Sequence, residues 1–270
     1  MNRLSYSLFI WKSHRGLALF SIIFIAALQF VIIELITSFD TAPIISAILK
    51  QIPERFRFIF GEQLVTLLTV RGAASFGFNH PLVLVLLSIN AIIIPAKHIS
   101  GEIEGGTLEL LLSYPLTRTR LCVSLWASAV LYLFFIVASA FVSSLLAITI
   151  YKYFTFDFLF KMLQIGINLW LLAVLIMSYT LLISTFGKEG NKTGTFSAAI
   201  TLVFYLIFFL SSIWDSIEFT KPFNIFTYYQ PQSLMFDQQS FLLNFGVLIT
   251  LIGICLLISI KQFNKRDIPG

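Results

Sequence analysis

Three acidic side chains and a stripe of leucines fall in a short polar stretch between two long apolar runs. Glu102, Glu104 and Glu109 are three of the thirteen acidic residues in the chain. The leucines of the stripe are Leu108, Leu111 and Leu112. Carboxylates can pair with basic side chains of another surface, and leucines can fill an apolar cleft. The chemistry that this stretch predicts is therefore binding.

The sequence places these leucines on a helix that is bounded at both ends. Gly105-Gly106 is a break, Thr107 can accept a backbone N–H bond as a cap, and a helix does not continue through Pro115. These signals predict about two turns, with the leucine stripe on one face. A helix this short cannot span a bilayer, so the stripe meets the membrane surface or another protein. We interpret it as a docking element; the alternative is a polar loop with a chance leucine helix.

Residues 102–118 read Glu-Ile-Glu-Gly-Gly-Thr-Leu-Glu-Leu-Leu-Leu-Ser-Tyr-Pro-Leu-Thr-Arg. This run resembles the cytoplasmic signature of ABC-2 type transporter permeases, roughly E-R-E-x-G-T-L-E-x-L-L-x-x-P-x-x-R. It departs from the signature at Ile103, where a basic residue is usual, and it lacks the Gly-Lys that often follows the arginine. In that family the segment joins the second and third membrane helices, and its coupling helix rests on a separate ATPase subunit.

The resemblance also implies a fold and a site. The fold is an all-α integral membrane protein similar to type V ABC exporters. It has six transmembrane helices, an N-terminal interfacial amphipathic helix and a cytoplasmic coupling helix between spans two and three. The residues that the resemblance assigns to ATPase coupling are Glu102, Glu104, Gly106, Thr107, Leu108, Glu109, Leu111, Leu112, Pro115 and Arg118.

The composition independently predicts an integral membrane protein. Of the 270 residues, 58% are hydrophobic and 11% are charged, and the mean hydropathy is +0.91. Soluble domains carry about 25% charged residues. In a soluble protein, a net charge of +5 would suggest nucleic acid as a partner. Here the basic residues cluster beside apolar runs, so we expect the lipid bilayer as a partner and no nucleic acid.

Apolar runs divide the chain into six predicted spans within a single ABC-2 type domain over residues 1–270. The spans cover about 16–37, 81–96, 121–150, 159–186, 195–213 and 241–260. Residues 1–15 place Leu4, Leu8 and Trp11 on one face and predict an interfacial helix. A cleaved signal peptide is the alternative, but no small-residue cleavage site follows. Residues 38–80 form a predicted outer loop with one or two helices on the outer leaflet, and residues 97–120 form the coupling segment.

Basic residues predict the orientation. With six spans both termini lie on one side, and that side also carries most of the eighteen Lys and Arg residues. Since short loops rich in Lys and Arg stay in the cytoplasm, we expect both termini and the coupling segment to face the cytoplasm, in the plasma membrane. The linker between spans five and six mixes aromatics and prolines, which suits the outer interface. In the resembled family this linker often forms short helices that close the pathway exit.

An ATP-driven transporter needs a phosphate-binding glycine loop that this chain lacks. In the nearest string, residues 187–194, Asn191 stands where a glycine belongs, and the string separates two spans rather than a strand and a helix. We interpret it as a short basic loop between spans four and five. His14 and His98 are expected near the inner membrane surface and His80 near the outer one, so the three cannot form one site, and Cys122 and Cys255 lack ligand spacing. We therefore expect no catalytic residue, metal or cofactor in this chain, with ATP and Mg²⁺ on a partner ATPase.

Four amide side chains lie inside the predicted spans: Gln29, Asn90, Gln164 and Asn168. They either line a pathway or hydrogen-bond between helices, and we favour the second interpretation. The span centres carry no ionisable residue, whereas ion-coupled carriers usually hold one near the midplane.

Together the patterns predict the permease subunit of an ATP-driven exporter. The pathway would form in a dimer, homomeric or heteromeric, that binds two copies of a separate ABC ATPase. The alternatives are a membrane anchor that recruits a cytoplasmic partner without transport, and a secondary carrier.

Overall fold

The computed structural model describes residues 3–38, 68–108 and 117–266. All regular structure among these residues is helical, as the sequence predicts. Six helices are long and apolar enough to cross a membrane: Ile10–Ser38, Val70–Glu104, Arg118–Ile150, Phe156–Phe186, Gly190–Ser211 and Phe241–Lys265. We call them spans one to six. The all-α membrane architecture with six spans is therefore confirmed.

Span one belongs to a single uninterrupted helix, Arg3–Ser38. We predicted a boundary near Gly16, and the structure corrects this, because the helix neither ends nor caps there. The helix packs along span three, where Ser143 Oγ donates to the carbonyl of Ala26 at 2.6 Å. Trp11 lies edge-on to Tyr132 of span three, with ring centroids 5.5 Å apart. Tertiary packing therefore starts before the predicted beginning of the span.

Span two is longer than predicted. It comprises the helices Val70–Asn79 and Pro81–Pro95, a π-helix Ala96–Gly101 and a last turn Glu102–Glu104. We predicted only residues 81–96, with residues 70–79 in the outer loop, and this was wrong because small residues let the first helix pack closely. At Gly77 an added Cβ would come within 1.9 Å of Gln29 Oε1 on span one. The rest of the predicted outer loop, residues 39–67, lies outside the described residues.

Span four forms the centre of the bundle. In its apolar window 72% of the residues are buried, against 17% for spans five and six. It contacts spans two, three, five and six. Trp126 Nε1 of span three donates to Ser178 Oγ of span four at 2.9 Å, which fixes their register. The structure begins spans four and five a few residues earlier than predicted and ends span six later, because helical geometry extends into the polar flanks.

The linker between spans five and six folds into short helices against one end of the bundle. They are the 3₁₀ helices Asp215–Phe223 and Ile225–Tyr228 and the α-helix Pro231–Met235. The buried Tyr229 hydroxyl donates to the carbonyl of Phe78 at 2.8 Å, which attaches the linker to the start of span two. At the same end Arg71 pairs with Asp157 at 2.8 Å, and Lys161 pairs with Asp237. We refer to this as the Tyr229 end, and to the opposite one as the Glu104 end.

Candidate functional site

The predicted coupling segment begins in a tight turn at the Glu104 end. The last helical turn of span two stops at Gly105, and Gly106 follows with φ +66°, a left-handed conformation that favours glycine. The Thr107 N–H then returns to the carbonyl of Glu102 at 3.0 Å. The Thr107 hydroxyl also bonds the Glu102 carboxylate. Glu102 therefore closes the turn, a local role that sequence reasoning missed.

Leu108 is turned into the bundle. Its side chain is 1% exposed and belongs to the apolar core of the protomer. The sequence placed it on the docking stripe, and the structure corrects that placement because the turn at Gly106 redirects the chain inward. Other predicted coupling residues lie outside the described part of the chain: Glu109, Leu111, Leu112 and Pro115.

Glu104 connects the coupling segment to span five. Its Oε2 accepts a hydrogen bond from the backbone N–H of Gly190 at 2.9 Å, at the first residue of that helix. A carboxylate is favourable there because helix N-termini carry a partial positive charge. The backbones also approach closely, since a Cβ on Gly190 would lie 3.1 Å from the Cα of Gly101. Span five is thus held directly against the last turns of span two.

A chain of buried hydroxyls connects the π-helix to spans four and five. Thr193 Oγ1 donates to Ser100 Oγ at 3.0 Å, and Ser100 Oγ donates to the carbonyl of Ser184 at 3.1 Å. All three side chains are buried. A π-helix widens the helical turn and is frequent at functional sites. Here it presents Ser100 to the end of span four and the beginning of span five together.

Two arginines join span three to spans four and six. Arg118 donates to the carbonyl of Phe263 at 3.4 Å and to that of Arg266. Arg266 donates to the carbonyls of Thr185 at 2.7 Å and Ser184 at 3.3 Å. Burial lowers the pKa of Arg266 from its ordinary value, yet arginine stays charged in proteins. A cation at the C-terminal end of span four is favourable, because those carbonyls lack helical partners.

Residues 10–268 match a family model described as ABC-2 family transporter protein. The chain belongs to the ABC-2 transporter family. No curated protein matches its sequence. The protein is therefore a permease subunit of an ABC transporter, a multi-pass membrane component that is not itself catalytic. Membership also implies a partnership with an ABC ATPase and with the bilayer.

The permease contains a histidine pair that the sequence did not reveal. His14 of span one and His98 of the π-helix are both buried, with their Nε2 atoms 3.2 Å apart. Next to the pair, Lys97 Nζ donates to Ser13 Oγ at 3.2 Å. The sequence predicts both histidines near the inner membrane surface, and this shared depth is the one signal in the sequence that could have suggested their contact. The contact attaches span one to the π-helix that precedes the coupling segment.

Three of the four predicted pathway amides are buried between helices of the permease. Asn90 Nδ2 donates to Ser21 Oγ at 2.8 Å, and the Tyr132 hydroxyl donates to Asn90 Oδ1 at 2.6 Å. Gln29 donates to the carbonyl of Ala74 at 2.9 Å, and Asn168 to that of Tyr228 at 2.8 Å. The fourth, Gln164, is partly exposed. These contacts agree with interhelical hydrogen bonding, while pathway lining stays a prediction.

Within the described residues, no group of three or more His, Cys, Asp or Glu side chains is placed to hold a metal ion. Residues 187–189 form the turn between spans four and five, and helix Gly190–Ser211 follows directly. A phosphate-binding loop instead follows a strand. A cavity beside the coupling segment lies between spans two and five, lined by Gly101 and Glu104 on one side and by Gly190 on the other.

Proposed function

We propose that this permease works as a dimer in an ATP-driven exporter, with two copies of a separate ATPase docked on the segment from Glu102 to Arg118. ATP and Mg²⁺ bind the ATPase chains. The Glu104 end faces the cytoplasm of the plasma membrane together with both termini. The second protomer is identical or related, and the pathway forms between the two.

The observation that carries this proposal is the hydrogen-bonded continuity around the segment. Glu104 holds the start of span five, Ser100 holds the end of span four, and Arg118 holds the end of span six. A push on the segment therefore reaches spans two to six through direct hydrogen bonds, of which that of Ser100 is buried, that of Arg118 is partly buried and that of Glu104 is exposed. Packed helices move as units rather than deforming continuously, so such a push favours a concerted displacement.

The dimer is supported by the uneven burial of the protomer. Spans five and six expose large apolar side chains, and 17% of the residues in the apolar window of each are buried. The centre of the bundle is filled by span four. A packed six-helix core leaves little room for a passage, so a pathway between protomers fits this arrangement better. The exposed apolar faces then divide between the bilayer and the second protomer.

The docking role can be tested on the two leucines that remain on the predicted stripe. Burying two leucine side chains supplies about 3–6 kcal/mol gross before the costs of association. We expect Leu111→Asp combined with Leu112→Asp to abolish co-purification of the ATPase and stimulated ATP hydrolysis. The permease itself should still be recovered folded, because these positions lie outside the spans.

Leu110→Asp is the matched control, because position 110 lies on the opposite face of the predicted helix. It introduces the same charge and should leave ATPase association unchanged. If the double variant associates and stimulates hydrolysis like the unmodified permease, the segment is not the docking site. A response to an imposed ion gradient without any ATPase would instead indicate a secondary carrier.

A further inference from the structure

Two adjoining cavities lie between spans two and five, and we refer to them together as the groove. The cavity at the Glu104 end has a volume of about 460 Å³. The second, towards the Tyr229 end, has a volume of about 290 Å³. Ile89, Ile92 and Ala198 line both cavities, so the two share a wall along the same face of the bundle.

The part of the groove towards the Tyr229 end is apolar. Its walls include Pro81, Leu84, Val85, Leu202, Tyr205 and Phe226. Besides the phenol of Tyr205, two hydroxyls lie in this wall, and both are already bonded: Ser88 donates to the carbonyl of Leu84 at 2.7 Å, and Thr201, which also contacts the Tyr179 hydroxyl, donates to that of Ser197 at 2.8 Å. This stretch therefore suits a hydrocarbon chain and offers little to a polar solute.

The Glu104 end of the groove carries one cation, one carboxylate and one amide. Lys97, Glu104 and Asn191 all line it, and all three side chains are exposed. An ammonium has three donors, of which Lys97 gives one to Ser13, and a carboxylate accepts several bonds beyond the one from Gly190. The end of the groove is thus polar with balanced charge.

The groove has the length of a lipid chain. The stretch from Pro81 to Lys97 corresponds to about 24 Å of helix, most of the roughly 30 Å hydrocarbon core of a bilayer. An extended molecule in the groove lies parallel to the acyl chains of the neighbouring lipids. Its polar end then sits beside Lys97, at the level where headgroups begin.

We propose that the groove binds one zwitterionic phospholipid-like amphiphile per protomer as the transported substrate. The acyl chain lies against Ile89 and Ile92, the phosphate meets Lys97 and Asn191, and a primary ammonium meets Glu104. An anionic lipid would bring like charge to Glu104, and a cationic amphiphile would bring it to Lys97. The substrate assignment rests on the transport function proposed above, whereas binding in the groove does not require the ATPase.

Binding is tested on the full-length permease in detergent with phosphatidylethanolamine that carries a fluorophore on its acyl chain. We expect saturable binding of one molecule per protomer, at least tenfold tighter than that of phosphatidylglycerol with the same label. Glu104→Gln should remove this preference, because the ammonium loses its partner and phosphatidylglycerol no longer meets like charge, whereas Lys97→Gln should weaken the binding of both lipids through the shared phosphate. Equal affinities for the two lipids, or binding that does not saturate, would overturn the proposal.

Two tryptophan substitutions separate the groove from the rest of the surface. Ala198→Trp fills the shared wall and should weaken phosphatidylethanolamine binding at least tenfold. Ala199→Trp is the matched control, since Ala199 is exposed next to it but lines neither cavity. Equal effects of the two variants, or none from Ala198→Trp, would show that the lipid binds elsewhere.

Transport is tested in reconstituted vesicles with the ATPase and labelled phosphatidylethanolamine. ATP-dependent movement of the lipid across the bilayer is expected for the unmodified complex and for Ala199→Trp, and not for Ala198→Trp. Binding without such movement would overturn the substrate assignment. ATPase co-purification, measured on the same variants, reports separately on docking, so a failure of the docking proposal is distinguishable from a failure at the groove.

Discussion

Asn90 joins three spans through one side chain. It is fully buried, donates to Ser21 of span one and accepts from the Tyr132 hydroxyl of span three. A buried polar group left without its partner destabilises a protein more than the bond itself stabilises it. In membranes such interhelical bonds average about 0.6 kcal/mol. The Asn90–Tyr132 contact is therefore a test of whether the amide is structural.

We expect Asn90→Leu to destabilise the permease by about 1–3 kcal/mol, because the Tyr132 hydroxyl loses its acceptor. Tyr132→Phe alone should cost less. The double variant should be more stable than the sum of the single effects predicts, since both polar partners are then gone. Thermal unfolding of the purified protein in detergent measures all three. Additive effects, or an Asn90→Leu variant with unchanged stability and no transport, would assign Asn90 to the pathway instead.

For single residues, the sequence indicates which polar side chains are buried between helices but not which partners they bond. Asn90, Gln29 and Asn168 stand out as amides in apolar runs, and interhelical bonding is the expected use of such groups. The pairing of His14 with His98 could not be predicted, because it joins positions far apart in the chain. Only the approach of span one to the π-helix brings the two rings together.

At the scale of the elements, span two and the start of span five approach each other backbone to backbone at Gly101 and Gly190. A Cβ on Gly190 would lie 3.1 Å from the Cα of Gly101 and 3.2 Å from the carbonyl oxygen of Ala96, and both of these are backbone atoms. Backbone cannot rotate away as a flexible side chain does. One turn later, a Cβ on Gly194 would make ordinary contacts at 3.7 Å and 3.9 Å with side chains of Ala96 and Ile92.

Gly190→Ala should therefore destabilise the permease by about 1–3 kcal/mol, because the added methyl separates span five from the π-helix. Gly194→Ala is the matched control on the same helix. It should be neutral or stabilising by up to about 1 kcal/mol, since alanine favours the helix over glycine. Thermal unfolding in detergent compares the two. Equal stability of the variants would mean that the helices separate without cost.

The same region shows why span two was predicted too short. Residues 70–79 hold two glycines, an arginine and two polar residues, so their mean apolarity resembles that of a loop. In the fold their small side chains are buried against span one, with Thr69 capping the helix through the N–H of Gly72 at 3.0 Å. The π-helix that follows Pro95 could not be predicted either, because no local sequence pattern specifies it. It occurs where Ser100 and Gly101 make tertiary contacts with spans four and five.

For the whole molecule, apolarity gives the number of spans but not their arrangement. Span four is the most buried, yet its mean hydropathy of 2.1 is below the 2.7 of span six. Lipid chains are as apolar as leucine, so apolar surface alone does not draw a helix to the centre of a bundle. Small and hydroxyl side chains do mark the centre: Gly166, Ser178, Thr180 and Ser184 of span four are all buried.

The two ends of the bundle are chemically distinct, and this makes the orientation testable. The Glu104 end gathers the coupling turn, the loop between spans four and five and the chain after span six. The Tyr229 end carries the short helices of the linker between spans five and six. The distribution of Lys and Arg predicts that the Glu104 end is cytoplasmic. A reagent that cannot cross the membrane should therefore reach one end alone.

Cysteine labelling distinguishes the two orientations in a permease whose own Cys122 and Cys255 are replaced by alanine. We expect Glu218→Cys, at the Tyr229 end, to react with an impermeant maleimide in intact cells, because this side chain is exposed and the predicted orientation turns that end outside. Ser113→Cys, in the predicted coupling segment, should react only after the membrane is permeabilised. Each variant controls for the accessibility of the other. Labelling of Ser113→Cys in intact cells would place the coupling segment outside, where no ATPase could dock. The permease could then not take its driving force from a cytoplasmic partner.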